Sequence, residues 1–288
     1  MTYLQAIWFG ILQGVTEPFP ISSLGHSVIL PTLVGWHVHE KDPLFLVFLV
    51  ATHTATALVF FIIFWKDWMK IFSGLWVSLK KRTIDPDNVY GKLGWLLVVG
   101  TIPAGLVGLL FEKFFRRLFA APELVAGMLA LNGIMLIAAD LLRKRKEKIT
   151  DFSGEASDLR LAKLSWGQSL KVGLSQVLAL VPGFSRTGST MTGGLLTGLS
   201  YGDAARFSFL LATPIIGAAS ALKLPELALR HSSAIPVDVV LIGAVVAGLS
   251  SWVSVKFLLK YFETKKLWPL GIYCFILGTF TLSMFLGK

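Results

Sequence analysis

Pro182-Gly-Phe-Ser185-Arg186-Thr187-Gly-Ser189-Thr190 decides how the rest of this chain is read. One Arg, four hydroxyls and two Gly stand together between apolar segments, and hydrocarbon offers such groups no partner. A phosphate suits them, because a guanidinium, hydroxyls and glycine-freed backbone N–H groups match a tetrahedral oxyanion. The competing reading is a turn whose Arg escapes to the lipid headgroups. Taken alone, the stretch does not choose between the two.

The surrounding chain is apolar throughout. Of 288 residues, 54% are hydrophobic and 15% charged, with a mean hydropathy of +0.69, against roughly 25% charged residues in an ordinary soluble domain. This is the composition of a polytopic membrane protein. The net charge of +10 comes without a basic stripe interleaved with aromatics on a soluble face, which excludes nucleic acid as the partner. Cys274 is the only cysteine, which excludes disulfides within the chain and cysteine metal sites. The first Lys or Arg is Lys41, so no positive n-region of a secretory signal opens the chain and the N-terminus is expected to be mature structure.

Crossing a bilayer core takes about 20 apolar residues. Leu44–Trp65, Gly94–Phe111, Leu124–Leu142, Phe207–Leu224, Val237–Leu259 and Trp268–Phe285 qualify. Two further regions, Met1–Trp36 and Leu164–Leu199, are interrupted near their middles by Pro, Gly and polar clusters. They are predicted to be helix–loop–helix hairpins that enter and leave on one side. Irregular backbone at membrane depth must be buried in protein or line a wet cavity, and such breaks are where binding sites form.

Loop charge orients the spans. Residues 66–93, 143–171 and 256–266 carry six, eight and four Lys or Arg of the 27 in the chain, which makes them cytoplasmic by the positive-inside rule. The first hairpin then starts outside and the second inside. An offset of 163 superposes Gly10, Gln13, Ser22 and Gly25 on Gly173, Gln176, Ser185 and Gly188. One of 161 brings Phe48, Ala51 and Thr52 onto Phe209, Ala212 and Thr213. At 143, Gly100, Ala104, Gly105 and Leu106 fall on Gly243, Ala247, Gly248 and Leu249. Hairpin, span, span, span thus recurs, and three crossings give the halves opposite orientation. The predicted fold is an all-α integral membrane protein with an inverted-topology repeat, each half a re-entrant broken-helix hairpin plus three transmembrane helices. Its parts are a first repeat over 1–142, a cytoplasmic linker over 143–163 and a second repeat over 164–288.

Under this repeat, Ser185-Arg186-Thr187-Gly188-Ser189 has Ser22-Ser23-Leu24-Gly25-His26 as its counterpart, and the two hairpins meet near mid-membrane. One side brings Arg186; the other brings Glu17, Ser22, Ser23 and His26. An isolated buried carboxylate such as Glu17 needs a cation or a metal, or stays protonated. Gln13 and Glu17 are four apart and share a helix face, where two oxygen-bearing side chains suit a hard divalent cation or, alternatively, bond to one another. His26 can move a proton near a Ser. His53, inside a span, reads as support or helix–helix glue, and Arg206, at a helix start, as a snorkelling anchor.

Gln13-Gly-Val-Thr-Glu17-Pro-Phe-Pro-Ile-Ser22-Ser23-Leu-Gly25-His26 resembles the first signature, (E/Q)xxxE followed by PxSSxGH, of the undecaprenyl-diphosphate phosphatases of the bacitracin-resistance type. Pro182 to Thr190 resembles their second, PGxSRSxxT, with Thr187 where the family usually has Ser, and Arg206 to Pro214 is also similar. The resemblance covers essentially the whole chain. It implies hydrolysis of undecaprenyl diphosphate to the monophosphate, in the bacterial cytoplasmic membrane, from the external face, with Mg²⁺ or Ca²⁺. Arg186 would clamp the diphosphate, and Ser22, Gly25, Ser185, Thr187, Gly188 and Thr190 would surround its oxygens. Gln13 and Glu17 would orient metal or water. Ser23 would be the nucleophile with His26 as its proton partner, although attack by His26 or by water stays open. The partners implied are the polyprenyl diphosphate lipid, the bilayer and a second copy in a homodimer. A transporter or flippase for an anion or lipid phosphate is the rival reading, since inverted repeats with broken helices are also found there. Such a protein has no use for a nucleophile and proton shuttle beside the clamp.

Overall fold

The computed structural model describes residues 1–36, 43–118, 121–143, 153–231, 236–264 and 266–287. Lys41, Lys144, Arg145, Lys146, Lys148 and Lys265, among the charges weighed above, lie outside them. All regular structure among the described residues is helical. The helices are α1 (Tyr3–Thr16), α2 (Ser23–Leu33), α3 (Pro43–Ile63), α4 (Trp65–Lys81), α5 (Val89–Leu110), α6 (Glu112–Leu118) and α7 (Pro122–Leu142). They continue with α8 (Gly154–Ala162), α9 (Trp166–Gln176), α10 (Arg186–Leu196), α11 (Tyr201–His231), α12 (Val237–Thr264) and α13 (Trp268–Leu286). Six of these, α3, α5, α7, α11, α12 and α13, hold a stretch long and apolar enough to cross a membrane. Each expected span falls within one of them or overruns its end by a residue or two.

Both interrupted regions are hairpins of short helices, α1 with α2 and α9 with α10. Pro18 and Pro20 follow the end of α1, and Pro182 and Gly183 lie between α9 and α10, where missing N–H groups and restricted backbone stop a helix. The starts of the hairpin helices are matched in pairs. Thr2 with Gln5 and Ser165 with Gln168 form capping boxes at α1 and α9. Ser22 Oγ accepts the Gly25 N–H and Ser185 Oγ accepts the Gly188 N–H, each at 3.1 Å. Every one of these residues is 163 positions from its counterpart, the offset read from the sequence. Each cap is worth about 1 kcal/mol.

The hairpins pack crosswise. α1 lies on α12, and α9 lies on α5, so each half shelters the other's hairpin. Close approach of backbones requires glycine here. A Cβ built on Gly10 would stand 2.7 Å from the Gly243 carbonyl oxygen, and one on Gly173 would stand 2.5 Å from the Gly100 carbonyl oxygen. Gly10 and Gly173 are the pair superposed by the offset of 163; Gly100 and Gly243 are the pair superposed by 143. A twofold exchange of the two halves requires this reciprocity. The α3–α11 and α7–α13 pairings join each remaining span to the one that holds the same place in the expected repeat.

Two segments read as connections are ordered helices. In α4 the buried Trp68, Ile71, Gly74 and Ser78 recur at the three- and four-residue spacing of one helix face, and that face packs on α5. Within the expected linker, α8 buries Asp158 and Leu161. There Arg206 departs from its anchoring role. It is 8% exposed and gives Nε and Nη2 to the Asp158 carboxylate at 2.8 and 3.1 Å, with Asp67 of α4 2.8 Å from the same Nη2. Arg160 grips Asp203 by two bonds of 2.9 Å. These pairs fasten α4 and α8 to the first two turns of α11, where a snorkelling Arg would have left them loose.

Replacing Gly10 or Gly173 by Leu is expected to lower the thermal midpoint in detergent, because an added side chain must push two helix backbones apart at a cost of about 1–3 kcal/mol or more. Gly167→Leu, where a Cβ meets nothing within 4 Å, should leave the midpoint close to that of the parent. A scanning thermal unfolding measurement on the three variants checks this.

Candidate active site

The breaks in the two hairpins face each other, and their backbone is satisfied from across the gap. Thr187 Oγ1 donates to the Glu17 carbonyl at 3.0 Å and Ser185 Oγ to the Phe19 carbonyl at 3.3 Å. Asn132 of α7, fully buried, bridges both tips. Its Oδ1 accepts the Ser185 N–H and its Nδ2 donates to the Pro20 carbonyl, each at 3.0 Å. Two bends hold unusual backbone: Gly183 at φ 104 and Ser22 at φ 68, a region that a serine enters only when its surroundings impose it. Through this framework the N-termini of α2 and α10 are brought to one place, and each presents a positive dipole end there.

Glu17 sits at that meeting point, 7% exposed. Its Oε1 accepts Nε and Nη2 of Arg186 at 3.2 and 3.1 Å. Its Oε2 accepts the Ser23 hydroxyl at 2.5 Å, and His53 Nε2 from α3 stands 3.4 Å from the same oxygen. The Arg186 guanidinium continues to the Ser208 carbonyl at 3.2 Å and to Thr187 Oγ1 at 3.3 Å, and Phe60 lies beneath it at 5.8 Å. Thr190 bonds to Ser208 Oγ at 2.6 Å. A buried carboxylate is thereby matched to a guanidinium with its remaining lone pairs occupied, the condition under which such a pair is tolerated away from water. Chemically, the arrangement holds a serine hydroxyl on a base beside an arginine able to receive phosphate oxygens.

The structure brings Glu17, Ser23 and Arg186 into one cluster, with Thr187 and Thr190 beside it. Ser22 and Ser185, with Gly25 and Gly188, form the helix caps already described. His26 is arranged otherwise. Nδ1 bonds to the Ser22 carbonyl and Nε2 to the Tyr273 hydroxyl, each at 2.8 Å, and the rings lie parallel at 5.7 Å. Both nitrogens are therefore taken, and the Ser23 hydroxyl points to Glu17 instead of to His26.

For a divalent cation, the residues do not make a resident site. No three His, Cys, Asp or Glu side chains are grouped to hold a metal among the described residues, and the one carboxylate at the centre is committed to Arg186 and Ser23. Gln13 is buried, and its amide oxygen and nitrogen have no hydrogen-bond partner. One neutral oxygen is too little for a cation that takes six or more oxygens.

Four residues outside the expected site set stand at or beside it. His53, read from its span as support or helix–helix glue, is 3.4 Å from Glu17 Oε2. Asn132 carried a signal, since a lone amide inside an apolar span needs a partner. Ser208 and Tyr273 carried none, because their importance lies in who stands opposite.

The chain matches the family model described as bacitracin resistance protein BacA over residues 6–280. It is 43% identical to an undecaprenyl-diphosphatase of Mycolicibacterium paratuberculosis, with 96% of this chain and 95% of that one covered. Undecaprenyl-diphosphatase 2 of Chromobacterium violaceum is 42% identical, covering 96% and 97%, and an undecaprenyl-diphosphatase of Gluconobacter oxydans is 42% identical, covering 97% and 98%. A match from end to end, on a chain whose two signature segments fold against each other around Glu17 and Arg186, has one meaning: this protein belongs to the bacitracin resistance protein BacA family.

Proposed function

We propose that this chain hydrolyses undecaprenyl diphosphate to undecaprenyl phosphate and inorganic phosphate, recycling the lipid carrier of cell-wall synthesis. The observation that carries the chemistry is the 2.5 Å bond from the Ser23 hydroxyl to Glu17, made beside Arg186 where two helix N-termini converge. An anion carrier needs the arginine and the helix ends, yet it has no use for a serine held on a carboxylate.

In this reading Arg186 leaves Glu17 for the oxygens of the terminal phosphate, and the ends of α2 and α10 add to the neutralisation. Glu17 takes the Ser23 proton. Ser23 Oγ forms a bond to the terminal phosphorus while the bridging P–O bond breaks, and its electron pair departs with the lipid monophosphate. Water then attacks the phosphoserine: its oxygen bonds to phosphorus as the Ser23 Oγ–P bond breaks, Ser23 Oγ takes back the proton held by Glu17, and the water's second proton leaves with the inorganic phosphate. Phosphoryl transfer demands chiefly in-line positioning and charge neutralisation, which these residues supply. Thr187 and Thr190 brace the arginine. A divalent cation, implied by the family resemblance, would come with the diphosphate oxygens, since the protein alone offers too few donors. The charge-rich segments support an orientation in the bacterial cytoplasmic membrane with the first hairpin entered from outside and the site open to that face.

Detergent-purified protein is expected to release phosphate from a polyprenyl diphosphate. Ser23→Ala should lose at least ~100-fold in kcat, the scale of removing an activated nucleophile and its base contact, and a phosphoserine at position 23 should be trapped by rapid quench. Should Ser23→Ala keep most of its turnover, water is the attacking group. Arg186→Lys should be nearly inactive, because an ammonium has no planar fork. Calorimetric titration of substrate-free protein with Mg²⁺ or Ca²⁺ should register no saturable binding below about millimolar, the weak end of protein calcium sites; a micromolar site would contradict the donor count.

A further inference from the structure

We infer that His53 is a positioning residue of this site, holding Glu17 in the orientation that receives the Ser23 proton after Arg186 has turned to the substrate. The inference rests on the phosphatase reading above and adds a residue to it.

Glu17 has three neighbours, and they divide between its oxygens. Arg186 occupies Oε1; Ser23 and His53 share Oε2. If Arg186 is to clamp a diphosphate it must give up Oε1, and a carboxylate 7% exposed would then be left buried without a counter-charge, which is strongly unfavourable. His53 is the neighbour that stays. It belongs to α3, not to either hairpin, and so is independent of any adjustment at the tips. Its Nδ1 is 2.7 Å from the Leu49 carbonyl one turn back on the same helix, which fixes the ring plane and leaves Nε2 facing Glu17. Both ring nitrogens thus face acceptors, and the form that satisfies both is the imidazolium. That ring directs an N–H at Oε2 from a helix outside both hairpins.

The placement distinguishes His53 from His26, whose nitrogens are used by Ser22 and Tyr273. It also breaks the repeat in an informative way. The offset of 161 that superposes Thr52 on Thr213 puts Pro214 opposite His53, and the offset of 163 puts Leu180 opposite Glu17. Carboxylate and imidazole are therefore both confined to the first half, as partners would be.

The test compares wild type, His53→Leu and His53→Gln in one preparation, with kcat and KM for a polyprenyl diphosphate measured per folded protein. Expected for His53→Leu is a fall in kcat of about 100-fold, the size of a small misplacement at a reacting group, with KM within about twofold. His53→Gln, whose amide N–H can still reach Oε2, should recover at least ~10-fold of that loss. A His53→Leu variant with kcat within about twofold of wild type, a loss confined to KM, or a Gln variant no better than Leu would each overturn the assignment. Should Leu prevent folding, Gln against His53→Ala decides by the same criteria. Wild type that releases no phosphate refutes the phosphatase reading itself, whatever the variants do.

Discussion

An ion pair between Glu17 and Arg186 joins two halves of a chain that has few other charges inside it. The residues come from separate hairpins, 169 positions apart, and neither tolerates burial alone. Removing one partner of such a pair costs about 3–5 kcal/mol, a large share of the stability of an ordinary domain. The pairing therefore does two things at once. It ties the two hairpins to each other, and it is the contact that, in the proposed reaction, Arg186 gives up for a phosphate.

Around that pair, hydrocarbon sets the second condition. Two helix breaks at membrane depth free backbone groups that lipid cannot satisfy. Asn132 serves both breaks with one side chain, and Thr187 and Ser185 close the remaining gaps by donating across the divide. The wedge of short helices is held between glycine-lined spans, so positional accuracy at the centre comes from backbones in direct contact, a stiffer arrangement than long side chains would give.

Much of this is legible in the sequence. Spans announce themselves by length and apolarity, and Pro18, Pro20 and Pro182 mark the breaks. The offsets of 163 and 143 named the glycines that later proved to touch in reciprocal pairs. The capping boxes at Thr2 and Ser165 obey the same offset and went unread, because two hydroxyls among many carry no weight until their helices are located. Harder to see were α4 and α8, whose charges suited a loop, and Arg206, whose partners Asp158 and Asp67 come from two other helices. For the same reason the partners of His53 and His26, Glu17 and Tyr273, are not legible in the sequence. Spacing along a strand of sequence reports which residues share a face; which face meets which is decided by packing between segments far apart in the chain.

The crosswise packing of the hairpins also sets an order of events during synthesis. α1 finds its bed on α12, and Glu17 finds its guanidinium only when residue 186 has been made. Until then the first half has its glycine face uncovered, and Glu17 has Ser23 and His53 beside it but not its guanidinium. The bed of the first hairpin is thus made after the hairpin itself. A chain cut short after its first half lacks both the bed of α1 and the guanidinium that faces Glu17.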